Sequence, residues 1–200
     1  MFSALMVDVD GVLICGRPAD GKPWAFSLEE DLGVSPVDLQ REFFNPYWND
    51  IVLGRCALVD HLKTALAKVA PALSCDDFIA YWFENDARLN GDLLAELRQL
   101  RAGGVKVYLA TNQEHVRAAY LSDTLGLGHD VDGIYYSAAL GHRKPDRAFF
   151  EQAALLSGFP VEKLLLIDDT PANVTAAQAS GWSANLWREG DSLLKILSKF

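Results

Sequence analysis

Two pairs of aspartates stand close together in the sequence, each at the end of a short apolar run. Asp8 and Asp10 follow the first run, and Asp168 and Asp169 follow another near the far end of the chain. Carboxylates gathered in one place repel one another and do not all ionise. A divalent cation would relieve that repulsion, and ligands that are all oxygen favour magnesium. The four aspartates are therefore candidate magnesium ligands.

Three other polar residues occupy comparable places. Thr111 and Asn112 come at the end of an apolar run in the middle of the chain, and Lys144 lies in the loop after the next run. Ligands of an open parallel sheet bind outside the carboxyl ends of its strands. If the apolar runs are strands, these side chains lie at the same edge of the sheet as the aspartates.

The elements that must position these residues follow from the hydrophobic pattern. Five short runs are apolar at successive positions, and four stretches between them have apolar residues at three- and four-residue spacing. Such strands alternating with helices predict an α/β fold, a doubly wound parallel sheet covered on both faces. The predicted strands are 4–9, 106–111, 133–138, 163–168 and 183–187, and the predicted helices are 91–102, 114–125, 146–157 and 171–180.

The interval between the first two strands breaks this rhythm. From Val12 to about Asn90 the pattern predicts only helices, at 27–32, 35–44, 57–69 and 75–87. An interval of this length is far too long for a crossover connection. We therefore expect a helical cap domain over 14–90, inserted into a core domain made of 1–13 and 91–200.

The composition and net charge of the chain restrict the kinds of molecule that it is expected to bind. The 200 residues are 50% apolar and 22% charged, with a formal net charge of −9, which is typical of a globular protein. An acidic chain without a basic cluster is a poor partner for nucleic acid or an anionic membrane. Three cysteines without a CxxC motif predict reduced thiols, and the N-terminal apolar stretch is too short for a signal peptide. These features predict a cytoplasmic protein with neither partner.

Four motifs carry a resemblance to a known family. They read VDVDGV at 7–12, YLATN at 108–112, GHRKP at 141–145 and LIDDTPANV at 166–174. Taken singly, each could be a turn or a helix cap, but those alternatives do not predict all four in order at strand ends. Together they resemble the haloacid dehalogenase superfamily. The Asp-Asp form of the last motif is similar to the glucose-1-phosphatase-like branch, which has a helical cap inserted after the first motif of a Rossmann-like core.

The resemblance implies a role for each residue of the first three motifs. Asp8 would be the nucleophile that forms an aspartyl-phosphate, and Asp10 the general acid and base. Thr111 and Asn112 would bind the phosphoryl group, the latter through a nearby backbone amide. Lys144 would neutralise the like charges of Asp8 and the phosphate.

The metal site is likewise implied by the resemblance. Its ligands would be Asp8, the backbone carbonyl of Asp10, and the acidic pair of the fourth motif. Asp169 aligns with the usual direct ligand, and Asp168 would bind directly or through water. Asn173 stands where the family has a second acid, which leaves the outer sphere open.

The function implied is that of a magnesium-dependent phosphomonoesterase, a monomer or homodimer that acts on a small phosphorylated metabolite such as a sugar phosphate. A phosphomutase of the β-phosphoglucomutase type would use the same Asp8 and Asp10. A dehalogenase has no use for an acid at position 10, and a noncatalytic regulator would be expected to lose the nucleophile or the lysine. Both of these alternatives are therefore disfavoured.

Overall fold

The computed structural model of the protein describes residues 2–200 and contains one parallel sheet of five strands. The strand order is β3-β2-β1-β4-β5, so the first strand lies at the centre. All five predicted strands are present, and the predicted α/β fold is confirmed. The strands are β1 Ala4–Val7, β2 Lys106–Thr111, β3 Gly133–Tyr136, β4 Leu164–Asp168 and β5 Ser183–Leu186.

The register of the central strands determines which residues meet at the carboxyl edge. Val7 of β1 pairs with Leu109 of β2 on one side and with Ile167 of β4 on the other. The next residue, Asp8, continues the ladder by donating its backbone N–H to Ile167 O at 2.9 Å. The polar ends of β1, β2 and β4 therefore lie at the same edge.

Both faces of the sheet are buried under helices, which explains why its strands are apolar at successive positions. Leu5 and Val7 of β1 belong to one hydrophobic cluster, and Ala4 and Met6 belong to the cluster on the other face. The core helices are α6 Gly91–Ala102, α7 His115–Ala119, α8 Ser137–Leu140, α9 Arg147–Ser157, α10 Pro171–Ala179 and α11 Leu193–Leu197.

The helical interval between β1 and α6 has one helix that the sequence pattern does not predict. Its five helices are α1 Leu28–Leu32, α2 Pro36–Leu39, α3 Asn45–Val52, α4 Leu58–Val69 and α5 Cys75–Asn85. A π-helical turn, Gln40–Phe44, joins α2 to α3. Pro46 suggests a break because it has no N–H to donate to the preceding turn, but the backbone stays helical at Phe44 and Asn45, and the wider π-helical turn directly before the proline accommodates its ring. The chain therefore continues as helix to Val52.

These inserted helices share a hydrophobic cluster of their own. Phe43, Leu62 and Phe78 are fully buried in it. Trp24 and Trp82 stack within it, with ring centroids 5.1 Å apart. The insertion therefore buries apolar surface largely against itself.

Two linkers connect the insertion to the sheet, and they run side by side. Cys15 N donates to Arg88 O at 2.9 Å, Arg88 N donates to Gly16 O at 3.1 Å, and Asn90 N donates to Leu13 O at 2.8 Å. The chain thus leaves and re-enters the core at one place.

Arg117 of α7 makes a second connection between the core and the insertion. Its side chain is buried, donates to Phe83 O at 3.2 Å and pairs with Asp86 at 3.3 Å. Its guanidinium also lies 5.0 Å from the centroid of the Phe83 ring. A buried charge needs such partners, so this arginine holds the end of α5 against the core.

Within residues 2–200, no helix combines the length and the apolar character needed to cross a bilayer. Cys15, Cys56 and Cys75 are all free thiols; Cys75 is buried, and the other two are half-buried.

Because the inserted helices bury a hydrophobic cluster of their own, we expect alanine substitutions of a buried and an exposed leucine to change the free energy of unfolding by different amounts. Leu62→Ala, at a fully buried site in α4, should lower the free energy of unfolding by about 3 kcal/mol because it leaves a cavity. Leu155→Ala, at a site of α9 that is 80% exposed, should change it by less than about 0.5 kcal/mol. Denaturant titration of both variants measures the difference, and equal effects would contradict the packing described.

Candidate active site

A buried lysine joins two of the predicted aspartates at the carboxyl edge of the sheet. Lys144 Nζ lies 2.9 Å from Asp8 Oδ1 and 2.6 Å from Asp168 Oδ2. The lysine is 2% exposed and Asp168 is fully buried. Burial acts to lower the pKa of Lys144, but the two carboxylates outweigh it and raise that pKa above its ordinary value. The structure thus holds a fixed ammonium charge between two carboxylates.

The loop that carries this lysine is held by Asn112. The Asn112 side chain donates to Lys144 O at 2.9 Å and accepts from Lys144 N at 2.8 Å. Both polar atoms of the amide are therefore used on the lysine's backbone. This side chain acts on the site by placing Lys144, and any direct contact of residue 112 with a phosphoryl group is left to its backbone.

Asp8 is buried and makes its contacts through one oxygen. Its Oδ1 accepts from Val9 N at 2.7 Å in addition to the lysine contact. Within the described residues Oδ2 has no hydrogen bond, so it is the oxygen available for chemistry. Burial raises the pKa of Asp8 to about 7; Lys144 opposes this rise, and the charges of Asp168 and Asp10 add to it.

Both carboxylate oxygens of Asp168 have hydrogen-bond partners. Asn173 Nδ2 lies 3.0 Å and 3.1 Å from its two carboxylate oxygens, and Thr170 N donates to Oδ1 at 2.9 Å. With the lysine contact, both oxygens of this buried carboxylate are occupied. Asn173 therefore orients Asp168, a role that the sequence leaves open.

Asp169 is exposed and lies against the turn that follows β1. Gly11 has a φ of +79°, and a Cβ built there would be 2.1 Å from Asp169 Oδ2. Only glycine allows this approach. Asp8, Asp168 and Asp169 each have a carboxylate oxygen within 4.8 Å of the others, which is a possible metal-binding group. Burial, followed by the charge of Asp168, raises the pKa of Asp169.

Asp10 has a partner that the sequence analysis does not predict. Its side chain is exposed, yet desolvation by the surrounding atoms raises its pKa, which Arg117 and Gln113 act to lower. Gln113 Nε2 donates to Asp10 Oδ2 at 2.6 Å. The signal for Gln113 was its place directly after Asn112, at the end of β2.

Thr111 supplies an unpaired hydroxyl. The residue is 1% exposed, and its Oγ1 has no hydrogen-bond partner among the described residues. A buried hydroxyl without a partner is costly, so such a group is usually explained by a ligand or ion. Thr111 ends β2, at the edge where Asp8 and Lys144 meet.

Comparison with known proteins agrees with this arrangement. The family model described as haloacid dehalogenase-like hydrolase matches residues 2–181. A sesquiterpene phosphatase, AstK of Aspergillus oryzae, is 28% identical over 182 residues, which are 90% of this chain and 87% of the relative. A phosphoglycolate phosphatase of Rhodospirillum rubrum is 31% identical over 198 residues, covering 90% of this chain and 77% of the relative.

A solved structure shows the same fold. The crystal structure of a haloacid dehalogenase family enzyme of Bacteroides thetaiotaomicron, in complex with magnesium and inorganic phosphate, superposes with a TM-score of 0.84. It is 17% identical, and the match covers 98% of this chain and 99% of the other. The chain belongs to the haloacid dehalogenase-like hydrolase family. It is an enzyme, a phosphatase of that family.

The raised pKa of Asp8 gives a testable dependence of stability on pH. The folded state holds the Asp8 proton more tightly than the unfolded state, where the pKa is near 3.8. The free energy of unfolding should therefore fall as the pH rises from about 4 through about 7, and this contribution should be level above that range. Asp8→Asn cannot ionise, so in EDTA the variant should melt above wild type at about pH 8 and lose that advantage at about pH 4.5.

Thermal unfolding across this pH range measures the difference between the two proteins. Asp123→Asn, at an exposed carboxylate, is the matched control and should follow wild type. An Asp8→Asn variant that is less stable than wild type at the alkaline end would show that the ion pair with Lys144 outweighs desolvation.

Proposed function

We propose that this protein is a magnesium-dependent phosphomonoesterase that forms an aspartyl-phosphate on Asp8. The observation that supports this most directly is the buried Lys144 charge on Asp8, at the edge where the Thr111 hydroxyl is unpaired. An ammonium and a hydroxyl donor suit phosphoryl oxygens. The ammonium also allows a dianion to approach the carboxylate that attacks it.

The chemistry divides one displacement into two. Asp8 Oδ2 attacks phosphorus, the ester P–O bond breaks, and the leaving oxygen takes a proton from Asp10. Asp10 then accepts a proton from the water that attacks the aspartyl-phosphate. This second step releases inorganic phosphate and restores the Asp8 carboxylate.

The donor set also fits a magnesium ion. Three carboxylates with oxygens within 4.8 Å of one another offer the hard ligands that this ion prefers. Asp8, Asp169 and the backbone carbonyl of Asp10 would hold it directly. Asp168, whose oxygens are already occupied by Lys144 and Asn173, would contribute through water. Magnesium would supply Lewis-acid stabilisation of charge on the phosphoryl oxygens. The bacterial structure with magnesium and phosphate supports this proposal by analogy.

We assign the insertion over 14–90 the role of a helical cap on a core of 1–13 and 91–200. Its separate hydrophobic cluster and its paired linkers support that division. The Asp168–Asp169 pair supports placement in the glucose-1-phosphatase-like branch. The two relatives are phosphatases named for different substrates, a sesquiterpene and phosphoglycolate. They therefore support hydrolysis of a small phosphorylated metabolite but do not indicate which metabolite it is.

Removal of the nucleophile tests the reaction. Wild type should release inorganic phosphate from para-nitrophenyl phosphate, whereas Asp8→Asn should lower kcat by at least about 10⁴-fold, because an amide does not form the acyl-phosphate. With a sugar phosphate as substrate, free phosphate as the product in place of an isomer separates hydrolysis from transfer to a second sugar position. Turnover by Asp8→Asn within tenfold of wild type would contradict the covalent mechanism.

The two acids of the fourth motif should respond differently to magnesium. EDTA should abolish activity and magnesium should restore it. Asp169→Asn should raise the magnesium concentration for half-maximal activity by about tenfold or more, because it removes a direct ligand. Asp168→Asn should lower the maximal rate at every magnesium concentration, because it releases Lys144. A magnesium titration of each variant measures both effects, and the reverse pattern would reject this assignment of the pair.

A further inference from the structure

A buried glutamine makes a short contact with the predicted general acid. Gln113 is 4% exposed, and its Nε2 donates to Asp10 Oδ2 at 2.6 Å. An amide nitrogen is only a donor, and the carbonyl oxygen of a protonated carboxyl is a stronger acceptor than its hydroxyl oxygen. The contact of Gln113 with Oδ2 therefore favours the protonated Asp10 that carries its proton on Oδ1.

The backbone of Gln113 is fixed as well. Its carbonyl oxygen accepts from Ala138 N at 3.1 Å and lies 3.0 Å from Ser137 Oγ. The same Ser137 hydroxyl is 2.6 Å from Val52 O, at the end of the inserted helix α3. The glutamine is thus held between the sheet edge and the insertion, with its side chain directed to Asp10.

We propose that Gln113 is the positioning residue of the general acid: it holds Asp10 Oδ2, so that Oδ1 presents the proton to the leaving oxygen. This inference rests on the proposed phosphomonoesterase function. The Asp10 side chain is exposed and would otherwise rotate among several orientations, and proton transfer requires a donor held within hydrogen-bond distance of the leaving atom.

Arg117 does not replace Gln113 in this role. The arginine influences Asp10 through its charge, but its guanidinium donates to Phe83 O and Asp86 O and pairs with the Asp86 carboxylate. In the part of the chain that the structure describes, Gln113 is the side chain that hydrogen-bonds to the Asp10 carboxylate.

The dependence of rate on the leaving group tests the proposal. A good leaving group such as nitrophenolate needs little protonation, whereas phenolate needs more. Gln113→Met keeps the length of the side chain and removes the donor. We expect it to lower kcat/KM, which reports transfer of the phosphoryl group to Asp8 and not the later hydrolysis, by about 30-fold on phenyl phosphate but only about threefold on para-nitrophenyl phosphate. Gln152→Met, at an exposed site of α9, is the matched control and should leave both rates unchanged.

A double-mutant cycle separates positioning from packing. In an Asp10→Asn background there is no proton to place, so adding Gln113→Met should lower kcat/KM on phenyl phosphate by less than about twofold. Gln113→Leu, which also lacks a donor, should show the same leaving-group selectivity and provides the test if thermal unfolding shows that the Met variant does not fold.

Failure of this inference and failure of the proposed function would give different results. Equal losses on both substrates, or an undiminished loss in the Asp10→Asn background, would overturn the role of Gln113 while wild type remained an active phosphatase. A wild-type protein that releases no phosphate from either ester would overturn the proposed function and this inference with it.

Discussion

The burial of one ammonium group between two carboxylates is the constraint around which the carboxyl edge of the sheet is organised. A charge removed from water is tolerated only when it is paired and hydrogen-bonded. The parallel register of β1 and β4 supplies the two acids, Asp8 and Asp168, on adjacent strands. Asn112 fixes the lysine's loop, and Asn173 fixes the carboxylate behind it. Removing any one of these supports would leave Lys144 with a worse partner or a displaced loop, so the structure around Asp8 is held as a unit.

The four aspartates at this edge differ in burial and in hydrogen bonding. Asp168 is fully buried and bonded on both oxygens, so it works as a fixed counter-charge. Asp169 and Asp10 are exposed, which leaves them accessible to ions, water and substrate. Asp8 lies between these extremes, with one oxygen bonded and the other free within the described chain. Identical side chains thus differ in accessibility and hydrogen bonding because their surroundings differ.

The sequence predicted the α/β fold, helices between the first two strands and the sheet edge at which the polar residues meet, because apolar runs ending in polar residues report both burial and direction. It did not predict α3, since Pro46 looks like a break until the π-helical turn directly before it is known. The sequence also did not predict the hydrogen bonds that the side chains of Asn112, Asn173 and Gln113 make. An amide can cap a turn, bind a ligand or hold a neighbour, and only the three-dimensional position of its partner distinguishes these uses.

The turn at Gly11 limits how this protein can change through evolution. A Cβ at this position would overlap the carboxylate of Asp169, and its φ of +79° is unfavourable for any L side chain. A single substitution there would disturb the backbone and displace an acid of the site in the same step, and no later change at one other position would repair both. Neutral drift is therefore blocked at this codon, whereas the solvent face of α9 can vary freely. Descendants of this sequence should keep the glycine for as long as selection keeps Asp169.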